Sequence, residues 1–111
     1  MQVKEMAEKL NFRLMTKESE ISKEIKGLYC CDLLSWVMAH AKQGDAWITV
    51  QTHMNIVAVA SLLELSCIII PENIEVEEDT IEKANEENIP ILTTELSSYQ
   101  IFCKMYELGL R

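Results

Sequence analysis

The sequence predicts an α/β protein, a three-layer α/β/α sandwich with a mainly parallel central sheet. The main observation is a strand–helix–strand pattern: residues 46–50 read AWITV, residues 56–65 are almost wholly apolar, and residues 67–70 read CIII. A unit of this kind nearly always forms a parallel strand pair with a right-handed connection. The continuous apolar run indicates a buried strand, and strands that alternate with helices along the chain predict a layered sandwich.

Length and composition predict one domain spanning residues 1–111. Hydrophobic residues make up 49% of the chain and charged residues 25%, as in ordinary soluble globular proteins. No apolar run reaches the roughly 18–20 residues that cross a bilayer. Residues 1–5 read MQVKE, which is amphipathic and unlike a signal peptide. We therefore expect a cytoplasmic protein.

The charge balance argues against nucleic acid and membrane partners. Ten basic residues against eighteen acidic ones give a net charge of −8, and the basic residues do not form a stripe. Such a surface repels phosphate backbones and anionic membranes. The acidic excess is concentrated in residues 72–87, which we interpret as a solvated face.

The cysteines and histidines predict no metal site. Four cysteines stand at positions 30, 31, 67 and 103, and the histidines at 40 and 53. Neither CxxC nor HxxxH spacing occurs, although zinc sites usually show such spacing. Cys30 and Cys31, as neighbours in a strand, point to opposite faces. We predict no metal, no cofactor and no disulfide, with the thiols acting as small hydrophobic residues in a reducing cytosol.

The first residues predict a helix and an edge strand. Residues 3–10 carry apolar side chains at spacing i, i+3, i+4 and i+7, which is typical of one helix face. Residues 12–15 then alternate as a short edge strand does, and residues 16–23 form a charged loop.

A second strand and helix precede the central unit. Residues 25–31 are predicted as a strand in which Gly27 marks a bulge or a close backbone approach. Asp32 is placed to cap a helix over residues 33–41. Gly44 is the expected C-terminal stop of that helix.

The chain beyond the central unit predicts one more helix and strand. Residues 71–77 are a loop, and residues 78–87 a helix whose acidic first turn suits the positive end of the helix dipole. Asn88 is expected to end this helix. Residues 89–93 form the last strand, with its proline near the start.

A final helix completes the predicted order α-β-β-α-β-α-β-α-β-α. Ser97 and Gln100 have capping-box spacing, which opens a helix that runs to about Leu108. Gly109 is expected to end it.

The predicted architecture indicates where a ligand would bind. In open parallel sheets, ligands bind beyond the carboxyl ends of the strands, where helix N-termini point their N–H groups. Segments 31–32, 51–55, 71–73 and 93–95 should meet at that edge. The candidate ligand-binding residues are Gln51, Thr52, His53, Asn55, Glu72, Asn73, Thr93 and Thr94. The alternative is that Thr52 or Asn55 caps the following helix and His53 is solvated.

Catalytic motifs are not found. The glycines at 27, 44 and 109 allow neither a GxGxxG turn nor a phosphate loop, and the four segments contain no Lys or Arg. His53 is one candidate base, but no serine lies on a nucleophile elbow. Cys31 could be activated at a helix N-terminus, although Asp32 beside it opposes that effect. We assign no catalytic residues and predict that the protein is not an enzyme.

Several segments resemble small stand-alone DRTGG-domain proteins. They are residues 48–60, reading ITVQTHMNIVAVA, and residues 27–35, reading GLYCCDLLS, and the match extends over essentially the whole chain. Residues 3–14 and 21–27 are similar to the N-terminal domain of HPr kinase/phosphorylase, a structural relative. The resemblance implies a doubly wound α/β domain without catalysis of its own. In regulated pyrophosphatases such domains accompany CBS-domain pairs, and they also occur in phosphotransacetylases, as regulatory or oligomer-forming modules.

The name-giving residues of that family are absent here. The resemblance places the Asp-Arg of the family at Thr52-His53 and its Thr-Gly-Gly at Pro71-Glu72-Asn73. These are two of the loops that the sheet argument selects. The kinase domain of HPr kinase, with its phosphate loop, has no counterpart in this sequence.

Large apolar residues predict self-association. Trp36, Tyr29, Met38 and Met54 exceed what a core of this size must bury, and exposed members would mark a partner surface. The alternative for the methionines is core filling. The family resemblance and the frequency of two-fold pairs predict a homodimer.

Three functions remain open. The first is a non-catalytic regulatory module, dimeric, that senses a small metabolite or nucleotide at the C-terminal edge of the sheet. The second is a pure interaction or oligomerisation subunit with no ligand. The third is an accessory subunit of an HPr-kinase-like system.

Overall fold

The computed structural model describes residues 1–18 and 21–110, and within them the predicted order of helices and strands is confirmed. Residues 19 and 20 of the predicted 16–23 loop lie outside the described residues. In this part of the chain no helix is long and apolar enough to cross a membrane. The elements are α1 Val3–Leu10, β1 Arg13–Leu14, β2 Gly27–Cys30, α2 Leu34–His40, β3 Asp45–Ile48, α3 Asn55–Leu63, β4 Cys67–Ile70, α4 Glu78–Glu87, β5 Ile91–Thr93 and α5 Ser98–Glu107.

The strands form one sheet in the order β1-β5-β4-β3-β2. The strands β2, β3, β4 and β5 are parallel neighbours in sequence order, and β1 joins β5 antiparallel. The prediction of a mainly parallel sheet is therefore confirmed. Each connection from β2 to β5 moves one position across the sheet in the same direction.

Helices cover both faces of the sheet, which confirms the three-layer sandwich. On one face, α2, α3 and α4 pack on alternate strand residues that include Trp47, Ile68 and Ile91. On the other face, α1 and α5 pack on the intervening residues, which include Ile48 and Leu92. Because every residue of β3 and β4 is buried, these strands are apolar almost throughout.

The helix ends follow the predicted local signals at Asn88, Ser97 and Gly109; Gly109 has φ of +90° directly after the C-cap residue of α5. Asn88 ends α4 in the left-handed conformation, with φ of 58°. At the start of α5, the Gln100 backbone N–H donates to Ser97 Oγ at 3.2 Å, and the Ser97 N–H donates to Gln100 Oε1 at 3.0 Å. This reciprocal pair is the predicted capping box, which satisfies two N–H groups that the helix itself leaves unbonded.

Two predicted helix signals near α2 are wrong. Leu33, not Asp32, is the N-cap residue, and it makes no side-chain capping bond. The Asp32 Oδ1 instead accepts hydrogen bonds from Thr49 Oγ1 at 2.8 Å and from the Val50 N–H at 2.9 Å. The helix ends at His40 with an extended cap residue, so Gly44 does not stop it. Gly44 has φ of +86° in the turn before β3.

Gly27 marks a close approach, as predicted, but the approaching group is a side chain. A Cβ atom at this position would lie 2.6 Å from Asp45 Oδ1. Asp45 is the register partner of Gly27 in β3, and its other carboxylate oxygen accepts the Lys42 N–H at 2.8 Å. Glycine therefore leaves the space that this buried carboxylate occupies.

The four cysteines are free thiols in different surroundings. Cys67 is fully buried in β4, and burial raises its pKa to about 12. Cys30 lies at the exposed end of β2, where partial burial also raises the pKa of its thiol. Cys67 therefore behaves as a small hydrophobic residue of the core.

Candidate functional site

The carboxyl ends of β2, β3, β4 and β5 lie at one edge of the sheet because these strands are parallel. We call it the C-terminal edge. The loops at 31–32, 51–55, 71–73 and 93–95 follow those strand ends. The residues predicted as a site therefore share one edge, but they divide into two groups along it.

The first group joins the loops after β2 and β3. Gln51 Nε2 donates to the Asp32 carbonyl at 3.2 Å, and the Gln51 N–H donates to Thr49 Oγ1 at the same distance. Together with the bonds that Asp32 accepts, these contacts hold the two loops against each other. Gln51 is thus engaged in a structural network.

Thr52 joins the loop after β3 to the start of α4. Its Oγ1 donates to Glu77 Oε2 at 3.3 Å, and its carbonyl accepts from Thr80 Oγ1 at 2.6 Å. Thr80 is fully buried, so this second bond satisfies a hydroxyl inside the protein.

The capping role considered for Thr52 and Asn55 is wrong. The N-cap residue of α3 is Met54, which has no side-chain capping bond. His53 is exposed, and its Nδ1 accepts the Asn55 N–H at 3.3 Å. The imidazole thus serves one of the unbonded N–H groups at the start of α3.

The second group joins the loops after β4 and β5. The Glu72 N–H donates to the Leu96 carbonyl at 2.9 Å, and the Asn73 N–H donates to the Thr94 carbonyl at 2.8 Å. The connections after these two strands leave toward opposite faces of the sheet: β4 leads to α4 on one face, and β5 leads to α5 on the other. Such a switch between adjacent strands is where open α/β sheets form ligand crevices.

A cleft of about 300 Å³ lies at this switch, and we call it the β5 cleft. Three of the predicted residues, Asn73, Thr93 and Thr94, line it, whereas Glu72 and the 51–55 segment do not. Larger hollows, of about 490 and 760 Å³, lie at the opposite edge and beside β2. The polar lining of the β5 cleft consists of Asn11, Arg13, Asn73, Thr93, Thr94, Glu95 and Lys104.

Asn11, Arg13 and Lys104 were missed by the sequence analysis. Arg13 reaches the cleft because β1 runs antiparallel to β5 and pairs Arg13 with Thr93. Lys104 reaches it from α5. The alternation of residues 12–15 predicts an edge strand, but nothing in the sequence indicates which strand it joins. The cleft therefore contains the two cations that the loops themselves lack.

The loop between β4 and the cleft has an unusual backbone. Glu72 and Asn73 both adopt the left-handed conformation, with φ of 59° and 58°. Glycine adopts this region freely, whereas most other residues are strained in it. The resemblance placed a Gly-Gly pair at these two positions, and the observed backbone is of the kind that such a pair favours.

Replacing Glu72 with glycine should stabilise the protein. The left-handed conformation costs a non-glycine residue roughly 1–2 kcal/mol, and part of that is offset by the larger chain entropy that glycine loses. We expect Glu72→Gly to raise the free energy of unfolding by about 0.5–1 kcal/mol in urea titrations. The matched variant Asn73→Gly should be nearly neutral, since asparagine tolerates this conformation. Destabilisation by Glu72→Gly would contradict the strain argument.

The structure is similar to a known regulatory region. Its counterpart is the crystal structure of the CBS and DRTGG domains of the regulatory region of Clostridium perfringens pyrophosphatase, complexed with the activator diadenosine tetraphosphate. The TM-score is 0.74 at 18% sequence identity, which shows a shared fold. The similarity covers 92% of this chain and 44% of that chain, so this chain spans less than half of its neighbour's length.

The family assignment comes from the sequence. No curated protein matches this chain. The resemblance to HPr kinase/phosphorylase is not tested by these comparisons and stays a prediction. The model of the DRTGG domain family matches residues 5–108, which is nearly the whole chain. This protein therefore belongs to the DRTGG domain family.

Proposed function

We propose that this protein is a non-catalytic regulatory module that binds a small anionic metabolite or nucleotide in the β5 cleft. The family assignment supports a regulatory role, because the similar pyrophosphatase region is a regulatory one and was crystallised with a nucleotide activator. By analogy with that activator, the proposed ligand is a phosphate-bearing molecule.

The cleft lining is the observation that carries the proposal. Arg13 and Lys104 bring positive charge into the cleft of a chain whose net charge is −8. Arginine and lysine are the usual phosphate-binding side chains. The hydroxyls of Thr93 and Thr94 and the amide of Asn73 add hydrogen-bond donors beside them.

The size and charge of the cleft limit what it can hold. About 300 Å³ is at the lower end of ordinary small-molecule pockets, which span roughly 300–1,000 Å³. Glu95 also lines the cleft and opposes a multiply charged anion. The cleft therefore suits the phosphate end of a ligand whose remaining part extends over the C-terminal edge.

A thermal-shift titration tests this proposal. The probes are AMP, ATP, diadenosine tetraphosphate and inorganic phosphate, each added to the full chain. A ligand at 100 times its dissociation constant should stabilise the protein by about 2.7 kcal/mol. Arg13→Ala and Lys104→Ala should each raise the apparent dissociation constant on the order of tenfold, which is about 1.4 kcal/mol.

Lys83→Ala is the matched control. Lys83 lies on α4, pairs with Glu86 and Glu87, and is not among the residues that line the cleft. This variant should bind the same probe as tightly as the unaltered protein. The proposal fails if none of the probes stabilises the protein, or if Arg13→Ala and Lys83→Ala bind equally well.

A protein-interaction subunit is the second candidate, and exposed apolar residues favour it. Leu33 is 62% exposed and Trp36 is 53% exposed, and Met38, Val50 and Met54 are also exposed. We call these five residues the α2 patch. Trp36 stacks on His40 with ring centroids 4.0 Å apart. Exposed apolar groups of this size mark contact surfaces, so we also propose that the protein is a homodimer.

No feature of the described residues favours the HPr-kinase accessory role.

A further inference from the structure

A second hollow lies along β2, at the border of the sheet. It has a volume of about 760 Å³, and we call it the β2 groove. No strand among residues 1–18 and 21–110 pairs with the outer side of β2, so the groove opens at this border. Three strand spacings, roughly 14 Å, separate β2 from β5. The β2 groove shares no lining residue with the β5 cleft and is a separate place on the molecule.

Apolar side chains line the β2 groove on both faces of the sheet. Tyr29 belongs to the face that α2, α3 and α4 cover. Leu28, Phe102 and Leu110 belong to the face that α1 and α5 cover. Tyr106 of α5 adds a ring that is 59% exposed. A molecule lying along β2 would contact apolar groups on two sides, which favours a ligand with an apolar body.

Two lysines bring positive charge to the β2 groove. Lys26 directly precedes β2, and Lys42 lies in the turn before β3. Within the described part of the chain, neither ammonium group forms an ion pair with a carboxylate. These lysines can therefore attract an anion without giving up an internal partner, in a chain whose net charge is −8.

The side chain of Lys26 is held against the turn before β3. Its backbone N–H donates to the Gly44 carbonyl at 2.9 Å. A Cβ atom at Gly44 would lie 2.7 Å from Lys26 Cδ, so glycine leaves the room in which the lysine stem lies. A side chain that is already ordered loses less conformational entropy when it binds a ligand.

The one carboxylate that lines the β2 groove is turned toward the backbone. Asp45 is buried, its Oδ2 accepts the Lys42 N–H at 2.8 Å, and its Oδ1 occupies the space beside Gly27. With His40 neutral, two ammonium groups against one carboxylate leave an excess of one positive charge. The groove therefore suits an acid with a single negative charge better than a multiply charged phosphate.

The backbone of Leu28 offers hydrogen bonds to the outer side of β2. The Thr49 N–H donates to the Ile69 carbonyl after β3, so the alternate residue Ala46 bonds toward β2. Ala46 is the register partner of Leu28, and a residue in a parallel ladder bonds to the two neighbours of its partner. The N–H and C=O of Leu28 itself therefore face the open border, where a polar group of a ligand can pair with them.

We propose that the β2 groove binds a small amphipathic organic acid, with its anionic group at Lys26 and Lys42 and its apolar body along β2 and α5. The two ammonium groups hold the acid by charge-assisted hydrogen bonds. The side chains of Phe102 and Tyr106 cover the body. The groove volume falls within the range of ordinary small-molecule sites, roughly 300–1,000 Å³. This site is additional to the β5 cleft and does not rest on nucleotide binding there.

A fluorescence titration with two matched dyes tests the proposal. Anilinonaphthalenesulfonate is an aromatic body with one negative charge, and N-phenylnaphthylamine is the same body without the sulfonate. The unaltered full chain should bind the anionic dye more tightly. The double variant Lys26→Ala/Lys42→Ala should raise the dissociation constant of the anionic dye about tenfold and leave that of the neutral dye unchanged. Tyr106→Ala should weaken binding of both dyes, because it shortens the apolar wall.

The double variant Lys4→Ala/Lys83→Ala is the matched control. It removes the same charge from lysines that do not line the β2 groove, so it should bind the anionic dye as the unaltered protein does. The proposal is wrong if the unaltered protein does not bind the anionic dye, or if both double variants bind it equally well.

Two further results would assign the β2 groove or the dye differently. Loss of dye binding in Trp36→Ala, with binding kept in Lys26→Ala/Lys42→Ala, would place the dye on the α2 patch. A dissociation constant that rises as the protein is concentrated would show that a second copy covers the groove. Either result overturns the proposal. Lys26→Ala/Lys42→Ala should keep the thermal shift with nucleotide, and Arg13→Ala should keep dye binding, so the two sites fail separately.

Discussion

Replacing Trp47 with alanine should lower the free energy of unfolding by about 3–5 kcal/mol. Trp47 is fully buried in β3, in the core between the sheet and α2, α3 and α4. Its Nε1 also donates to the Cys31 carbonyl at 2.9 Å, which ties β3 to the loop after β2. The variant loses both the packing of the indole and this hydrogen bond. Urea denaturation followed by far-UV circular dichroism measures the change.

Trp47→Phe separates the two contributions. Phenylalanine retains most of the buried apolar volume but leaves the Cys31 carbonyl without its donor. An acceptor left without its donor costs about 1–3 kcal/mol when buried and less when partly buried, as here, so this variant should be destabilised less than Trp47→Ala. A loss below about 1 kcal/mol for Trp47→Ala would contradict the packing described for β3.

Asp32→Ala should destabilise the protein by about 1.5–3 kcal/mol, the usual worth of hydrogen bonds to a charged group. The carboxylate accepts from Thr49 Oγ1 and from the Val50 N–H, and the Thr49 side chain is buried. Its removal leaves a hydroxyl at the end of β3 without an acceptor. Chemical denaturation provides the measurement.

Asp32→Asn is the control for Asp32→Ala. The amide keeps an oxygen acceptor at the position of Oδ1, so we expect a smaller loss. The helix α2 should stay formed in both variants, because Leu33 is its N-cap and Asp32 makes no capping bond to it. Selective fraying of α2 in hydrogen exchange would instead support a capping role for Asp32.

Regular periodicity explains which elements could be predicted from the sequence. The bounds of β4 and α4 agree with the predicted runs 67–70 and 78–87, because apolar continuity and an acidic first turn are local signals. The capping box at Ser97 is local in the same sense. The central α/β layering follows from these elements, so the fold class could be predicted from the sequence alone.

Only part of the candidate site could be predicted from the sequence, because its residues come from distant parts of the chain. Thr93 ends β5 and Asn73 follows β4, and a parallel sheet brings these strand ends to one edge. Arg13 enters the cleft through a two-residue antiparallel strand, whose partner no periodicity identifies. Asp32 has the residue type and position of a helix cap, yet the end of β3 offers it better-placed donors. Tertiary contacts override a local preference there.

The pairing of β1 with β5 has a consequence for how the first residues are held. Arg13 and Thr93 are register partners, although eighty positions of chain separate them. Closing a loop of that length costs conformational entropy, which contacts between the two ends must offset. A molecule held between Arg13 and Thr93 would clamp the amino-terminal segment against the far border of the sheet. Occupancy of the cleft would then add one more contact between the two distant ends of the chain, beside the core packing of α1.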